Sequence, residues 1–258
     1  MIPPYENTIV AVTGASTGLG RAIAVGAAEQ GARAVLINFA SSTAEAEETA
    51  RLVADAGAEA VLAQGDVGDD ANCRALAAAA QRFGRIDALF ANAGTSKIAG
   101  YNDLDALSGD DFMEIYRVNV VGAYQTIRAA RALLEQSDRA AIVNTSSIAG
   151  VNGNGSSLAY SASKGALNAL TLGLARALAP RIRVNAICPG FIDSPWFDKL
   201  GYPGGAAALR ESMARRTPLQ AASTPQDIAG SALFLGSKAA RHVTGETLLA
   251  DAGLHLGG

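Results

Sequence analysis

Thr8-Ile-Val-Ala-Val-Thr13-Gly-Ala-Ser-Thr-Gly-Leu-Gly20-Arg21 is the stretch from which the fold can be read. Its first six residues are mostly β-branched and apolar without alternation, the pattern of a strand buried on both faces. Gly14, Gly18 and Gly20 follow at once, and residues 21–30 have helical composition. A glycine-rich turn between strand and helix lets the backbone approach a phosphate and aims the first helix amides at it. The spacing is Gly-x-x-x-Gly-x-Gly rather than Gly-x-Gly-x-x-Gly, and a merely tight turn is the plainer alternative. The flanking strand and helix favour a dinucleotide site built from Gly14, Ser16, Thr17, Gly18, Leu19 and Gly20.

Gly31 closes the helix, and residues 34–39 read as a second strand. A carboxylate ending this strand would accept from a ribose 2′-hydroxyl. Asn38 stands there instead, followed by Phe39-Ala40-Ser41-Ser42, and the first carboxylate is Glu45. With no anion to repel it a 2′-phosphate is tolerated, and Ser41 and Ser42 can hydrogen-bond it, so NADP(H) is favoured over NAD(H). No arginine marks the place: Arg33 starts the strand, roughly 17 Å from its far end at about 3.3 Å per residue, and Thr17 is neutral.

Further strands are expected at 60–64, 86–90, 140–145, 183–188 and 246–250, with helices at 43–56, 71–83, 108–135, 158–179 and 225–235. This alternation predicts one α/β domain over 1–258, a doubly wound, mostly parallel Rossmann-type sheet of seven strands with helices on both faces. Asp66 and Val67 close the third strand; Asp66 could accept from an adenine amino group or cap the next helix. The fourth strand runs into Asn92-Ala93-Gly94, small residues on which a ribose or nicotinamide could lie. Ser108 and Asp111 form a capping-box pattern that opens a single long helix. Asn119 lies within it among valines, where a buried amide needs partners. Residues 195–216, with Trp196, Phe197, Leu200, Tyr202 and Met213 among Gly and Pro, read as an irregular cover over a site.

Composition narrows the function. Hydrophobic residues make up 49% and charged residues 17%, which suits a packed globule. A net charge of −3 gives no footprint for nucleic acid or an anionic membrane. Residues 1–10 lack a signal-peptide pattern, and no apolar run reaches the roughly 20 residues that span a bilayer. Cys73 and Cys188 have no metal spacing, and a disulfide does not suit what reads as a cytoplasmic enzyme. His242 and His255 stand near the C-terminus without evident partners, so neither a histidine-based hydrolase nor a zinc site is expected.

Tyr160 and Lys164 are four residues apart, one turn along a helix. A free tyrosine titrates near ~10, and an adjacent ammonium is expected to pull that value down, making the pair a general acid or base. Asn168 continues the same stripe. Ala162, Ala166, Ala169, Gly173 and Ala177 form a second stripe of small residues, open to two readings: packing on the chain's own sheet or a subunit interface.

With these motifs assembled, the chain resembles the short-chain dehydrogenase/reductase family, in its group of about 250 residues, over nearly its whole length. Thr13-Gly-x-x-x-Gly-x-Gly20 matches the family's cofactor loop and Asn92-Ala-Gly94 its second fingerprint. Asn119, Ser147, Tyr160 and Lys164 match its catalytic tetrad. Pro189-Gly190, Ile192 and Ser194 fall in the segment that holds the nicotinamide carboxamide. The resemblance implies a homotetramer or homodimer and hydride transfer between nicotinamide C4 and a substrate carbon, with Tyr160 moving the proton. Lys164 would hold the ribose hydroxyls, Ser147 the substrate oxygen, and Asn119 a water linking Lys164 to solvent. Ser146 rivals Ser147, which lies at the family's usual interval, thirteen residues before Tyr160. The chain departs from NADP-preferring members in lacking a basic residue in the glycine loop or after the second strand.

Ile148, Val151, Leu158, Trp196, Phe197 and Leu200 fall in pocket segments, so the expected substrate is a largely apolar ketone or secondary alcohol. Ser147, Ile148, Asn154 and Trp196 are its expected contacts. One alternative is a 3-oxoacyl carrier-protein reductase, with Arg128, Arg131 and Arg176 as a docking patch rather than ordinary solvated helix faces. A non-catalytic dinucleotide-binding regulator on the same fold is the alternative of another class.

Overall fold

A computed structural model describes residues 3–201 and 205–256, with the side chains of residues 199, 205 and 206 left out of account. Tyr202 lies outside the described residues. Seven strands form one sheet in the order β3-β2-β1-β4-β5-β6-β7. They are β1 (Ile9–Val12), β2 (Ala34–Phe39), β3 (Glu59–Gln64), β4 (Ala88–Ala91), β5 (Ala141–Thr145), β6 (Arg183–Pro189) and β7 (Thr247–Ala250). All six pairings are parallel. β1, β2, β4 and most of β5 and β6 are buried on both faces, which is why they read as mostly apolar runs without alternation.

Among the described residues ten α-helices accompany them: α1 (Gly18–Glu29), α2 (Thr43–Asp55), α3 (Asp70–Ala80), α4 (Gly109–Tyr116), α5 (Ala123–Leu134), α6 (Ala149–Asn152), α7 (Leu158–Leu178), α8 (Trp196–Lys199), α9 (Gly205–Arg216) and α10 (Pro225–Gly236). One apolar cluster fills the face under α1 and α10, around Val10, Ile23, Ile37, Phe90 and Leu233. Another fills the opposite face under α3, α5 and α7, around Leu36, Leu89, Ile127, Ile142 and Val184. The chain winds outward from β1 to β3 and then restarts at β4. The switch point therefore lies between β1 and β4, and a crevice opens there at the carboxyl ends of the strands.

Local signals set several boundaries. Asp69 caps α3 by accepting from the Ala71 amide at 3.0 Å. Ser108 and Asp111 form the expected capping box, and Thr224 with Asp227 forms another ahead of Pro225. Two expectations need correction. The helix over 108–135 is interrupted: between α4 and α5, residues Arg117–Gly122 form a π-helical turn containing Asn119. The cover over 195–216 is mostly helical, with α8 and α9 in it, because residues 206–216 are rich in Ala, Arg and Glu, strong helix formers behind a Gly/Pro-containing lead.

Along α7, Ser163, Leu167, Thr171 and Ala175 face the sheet, while Ala162, Ala169, Gly173 and Ala177 are exposed and Ala166 half-buried. The small-residue stripe does not pack on the chain's own sheet.

Candidate active site

The crevice is a cleft of about 560 Å³. It is walled by the glycine loop after β1, by Asn38 to Ser42 after β2, and by Asp66 and Val67 after β3. Asn92 to Gly94, Ser147, Tyr160, Lys164, Pro189 and Gly190 line the part beyond β4, β5 and β6. The structure thus brings all but one of the residues expected to bind the cofactor, contact the substrate or form the tetrad to this cleft. The exception, Asn119, stands directly behind Gly94, where a Cβ would meet Asn119 Oδ1 at 3.3 Å and Lys164 Nζ at 3.7 Å.

The glycine loop is closed to side chains. Gly14 has φ +62°, and a Cβ there would lie 2.9 Å from the Ala93 Cα; at Gly20 it would lie 2.3 Å from the Gly14 carbonyl. Thr17 precedes α1 without a side-chain cap, and no acid stands in the first turn. The first α1 amides therefore keep their donors for an anion, the condition for seating a pyrophosphate. Asn92 braces this loop: its Nδ2 donates to the Thr13 and Gly14 carbonyls at 3.1 Å each, and its Oδ1 accepts from Thr145. Arg21 braces it from behind, donating to the Ser16 carbonyl at 2.6 Å and to the Glu45 carbonyl at 2.8 Å. Sequence reading overlooked Arg21, whose position just after Gly20 is its only signal.

Asn38 lines the cleft, but its amide does not select a ribose. Nδ2 donates to the Ala63 and Gly65 carbonyls, and Oδ1 accepts from the Gly14 amide. The residues after it that face the cleft, Phe39 to Ser42, carry no carboxylate. Ser42 makes no side-chain cap to α2, which leaves its hydroxyl available. Asp66 does not cap α3. It accepts from the Gly68 amide at 2.8 Å and pairs with Arg117 at 2.7 Å. Burial pushes its carboxyl upward, but these two partners outweigh that and hold it below the usual range.

In the part beyond β5 and β6, Lys164 Nζ donates to the Thr145 carbonyl at 2.7 Å and lies 5.6 Å from the Tyr160 ring centre. The expected depression of the phenol is not found. Loss of water around it pushes Tyr160 up to about 12, against the lowering effect of a hydrogen bond with Ser147. The same desolvation pushes Lys164 down to about 8. Burial is the largest cause of the shift of each group. At neutral pH the phenol holds its proton.

Ser146 is buried and donates to the Lys164 carbonyl at 3.1 Å. Both serines line the cleft, and Ser147 is the one that hydrogen-bonds with Tyr160. Asn119 is buried and well braced: Oδ1 accepts from the Thr95 amide at 2.8 Å, and Nδ2 donates to the Thr95 carbonyl and to Ser163 at 3.0 Å each. Both amide donors are taken, which leaves one Oδ1 lone pair and the main chain as possible partners for a water. Asn168 donates to the Gly150 carbonyl at 3.1 Å and is a helix-to-helix tie.

Ile148, Asn154, Trp196 and Phe197 line the cleft; Val151, Leu158 and Leu200 do not, and Val151 is exposed. The apolar lining instead includes Phe191, Leu209, Met213 and Leu254. Ile192 pairs with Ser223, and Ser194 rests against Gly18. Trp196 packs at 6.5 Å from the Tyr160 ring. His255 has a partner after all, the buried Asp251, at 2.9 Å. Arg128 and Arg131 are engaged by Asp70 and Glu135 of the same chain, which weakens them as a docking patch. Among the described residues no cluster of His, Cys, Asp and Glu could hold a metal, and no helix is long and apolar enough to cross a membrane.

Comparison with known proteins finds relatives along nearly the whole chain. A family model described as enoyl-(acyl carrier protein) reductase matches residues 14–255. A protein of Streptomyces violaceoruber, named as a ketoacyl reductase of the granaticin polyketide synthase, is 37% identical over 252 residues, 97% of each chain. The 3-oxoacyl-acyl-carrier-protein reductase of Staphylococcus aureus is 33% identical over 247 residues, 95% of this chain and 97% of its own. A crystal structure from Burkholderia xenovorans, described as a short-chain dehydrogenase/reductase, superposes with a TM-score of 0.88 at 41% identity, covering 97% of this chain and 99% of that one.

Proposed function

The chain belongs to the short-chain dehydrogenase/reductase family of oxidoreductases, and from that premise we propose that it reduces a largely apolar ketone to a secondary alcohol, with Tyr160 as the proton donor. The observation that carries this reading is the convergence of Ser147, Tyr160 and Lys164 on one cleft wall beside a glycine loop ready for a pyrophosphate. The residues fit a nicotinamide dinucleotide, which when bound supplies the hydride.

Ser147 and Tyr160 would grip the substrate oxygen between two hydroxyls, stabilising the charge that develops on it. Tyr160, protonated at rest, gives its proton to that oxygen; in the reverse direction it takes one back. Lys164, fixed by Thr145, would turn its remaining donors to the ribose hydroxyls. Asn119 would contribute through its main chain, since a π-helical turn shifts carbonyls out of the regular helical ladder while the amide locks the turn to Thr95.

NADP(H) is the favoured cofactor, supported by the serines and the missing carboxylate after β2. A cytoplasmic homotetramer or homodimer is supported by the exposed small-residue stripe of α7 beside exposed Val121 and Tyr124, and by the two buried free cysteines. A second reading, reduction of a 3-oxoacyl thioester, draws on the ketoacyl reductases among the relatives.

The test is a panel of cyclic ketones, aromatic ketones and an acetoacetyl thioester, run with NADPH and NADH in parallel. Turnover of simple ketones with NADPH preferred is expected. Turnover of the thioester alone selects the second reading, and cofactor binding without turnover of any carbonyl selects a non-catalytic regulator.

A further inference from the structure

Leu209, Met213 and Arg216 stand at i, i+4 and i+7 on α9 and all line the cleft. The other two arginines of this helix are paired, Arg210 with Asp193 at 2.6 Å and Arg215 with Glu211 at 3.5 Å. Arg216 has no carboxylate partner among the described residues. Among the described residues the cleft wall holds two other acid or base side chains, Asp66 and Lys164. Asp66 is neutralised by Arg117, and Lys164 is turned into the Thr145 carbonyl. Arg216 is thus an unmatched cation at the cleft's edge.

Its place along the cleft follows from topology. Just beyond Arg216 the Leu219 amide donates to the Ala252 carbonyl at 3.2 Å, and Pro218 packs against Gly253. The end of α9 is therefore stitched to the segment after β7, one edge of the sheet. Ser41 and Asp66 follow β2 and β3 at the opposite edge. The glycine loop follows β1, four strand spacings from β7, about 19 Å at roughly 4.8 Å each. Adenosine, phosphate and catalytic positions are thus passed in turn before Arg216 is reached, on the side left for substrate.

We propose that Arg216 pairs with an anionic group, a carboxylate or a phosphate, at the far end of the substrate, so that the enzyme prefers carbonyl compounds with an apolar body and an anionic end. Leu209 and Met213 cover the body, and the guanidinium receives the anion. This rests on the reading of the cleft as a site of carbonyl reduction.

Two matched pairs test it: a keto acid with its methyl ester, and a 3-oxoacyl phosphopantetheine thioester with the pantetheine thioester that lacks the phosphate. The readout is the ratio of kcat/KM within each pair, for the unaltered enzyme, Arg216→Ala and Arg216→Lys, at low and at physiological ionic strength. The charged member of one pair should be preferred, and that pair distinguishes carboxylate from phosphate. Arg216→Ala should lower the preference by roughly tenfold, Arg216→Lys should keep most of it, and salt should erode it. No preference in either pair, a preference that Arg216→Ala leaves intact, or a defect confined to the KM of the cofactor overturns the proposal. Should Arg216→Ala not fold, Arg216→Lys and the salt dependence decide. Turnover of simple ketones without charge preference sinks the role of Arg216 alone, whereas no turnover of any carbonyl sinks the reading beneath it.

Discussion

Lys164 Nζ donates to the carbonyl oxygen of Thr145 at 2.7 Å, joining α7 to the last residue of β5. That bond places an ammonium in the cleft wall with one donor engaged and the others free. It also holds the group where little water reaches it, and the pKa falls to about 8.

A pH dependence of cofactor binding follows. The dinucleotide is an anion, so it favours the charged form of Lys164. Affinity should be highest below about pH 8 and fall as the pH rises through that value and the proton is lost. Fluorescence titration of the free enzyme between pH 7 and 10 checks this; an affinity flat across that window contradicts it. Lys164→Arg, which stays charged, should remove the break.

Gly20 and Gly109 predict opposite outcomes for the same substitution. A Cβ at Gly20 would lie 2.3 Å from the Gly14 carbonyl, whereas at Gly109 it meets nothing within 4 Å. Gly20→Ala should cost about 1–3 kcal/mol of stability and weaken cofactor binding. Gly109→Ala, in the first turn of α4, should be neutral or stabilising by up to ~1 kcal/mol. Denaturant unfolding with and without cofactor reads both, and equal effects at the two positions would contradict the close approach.

Asn119 has structural consequences that a surface amide would not. Asn119→Ala leaves the Thr95 amide and carbonyl without their partners in a buried place, and should cost about 2–3 kcal/mol together with much of kcat. Asn119→Asp keeps the acceptor but loses the donor to Thr95 and Ser163, and should be intermediate. A stability change below ~0.5 kcal/mol for the alanine variant would show that the π-helical turn does not depend on this amide.

Much of this was legible in the residues themselves. β1, β2 and β5 read as buried strands because parallel strands covered on both faces need mostly apolar runs without alternation, and Ser108, Asp111 and Pro225 announced their helix starts. The Tyr160–Lys164 spacing placed the pair correctly on α7. What spacing could not convey is solvation: the shift of Tyr160 to about 12 depends on what surrounds the phenol in space. The π-helical turn was hidden for a similar reason, since its register is held by Thr95, twenty-four residues away. α9 was masked by the glycines and proline ahead of it, and with it the cleft-facing stripe that ends at Arg216. Asn38 stood at the selecting position of a nucleotide fold but is engaged by three backbone groups, none of them adjacent in sequence.

The most direct measurement is made on Tyr160→Phe, which removes one hydroxyl and leaves the ring against Trp196. Cofactor affinity by fluorescence and kcat on a ketone should be determined on the same preparation. The account predicts an affinity within about twofold of the unaltered enzyme and a kcat lowered by roughly 10²–10⁴. A variant that binds the cofactor and turns over at near the original rate would contradict it.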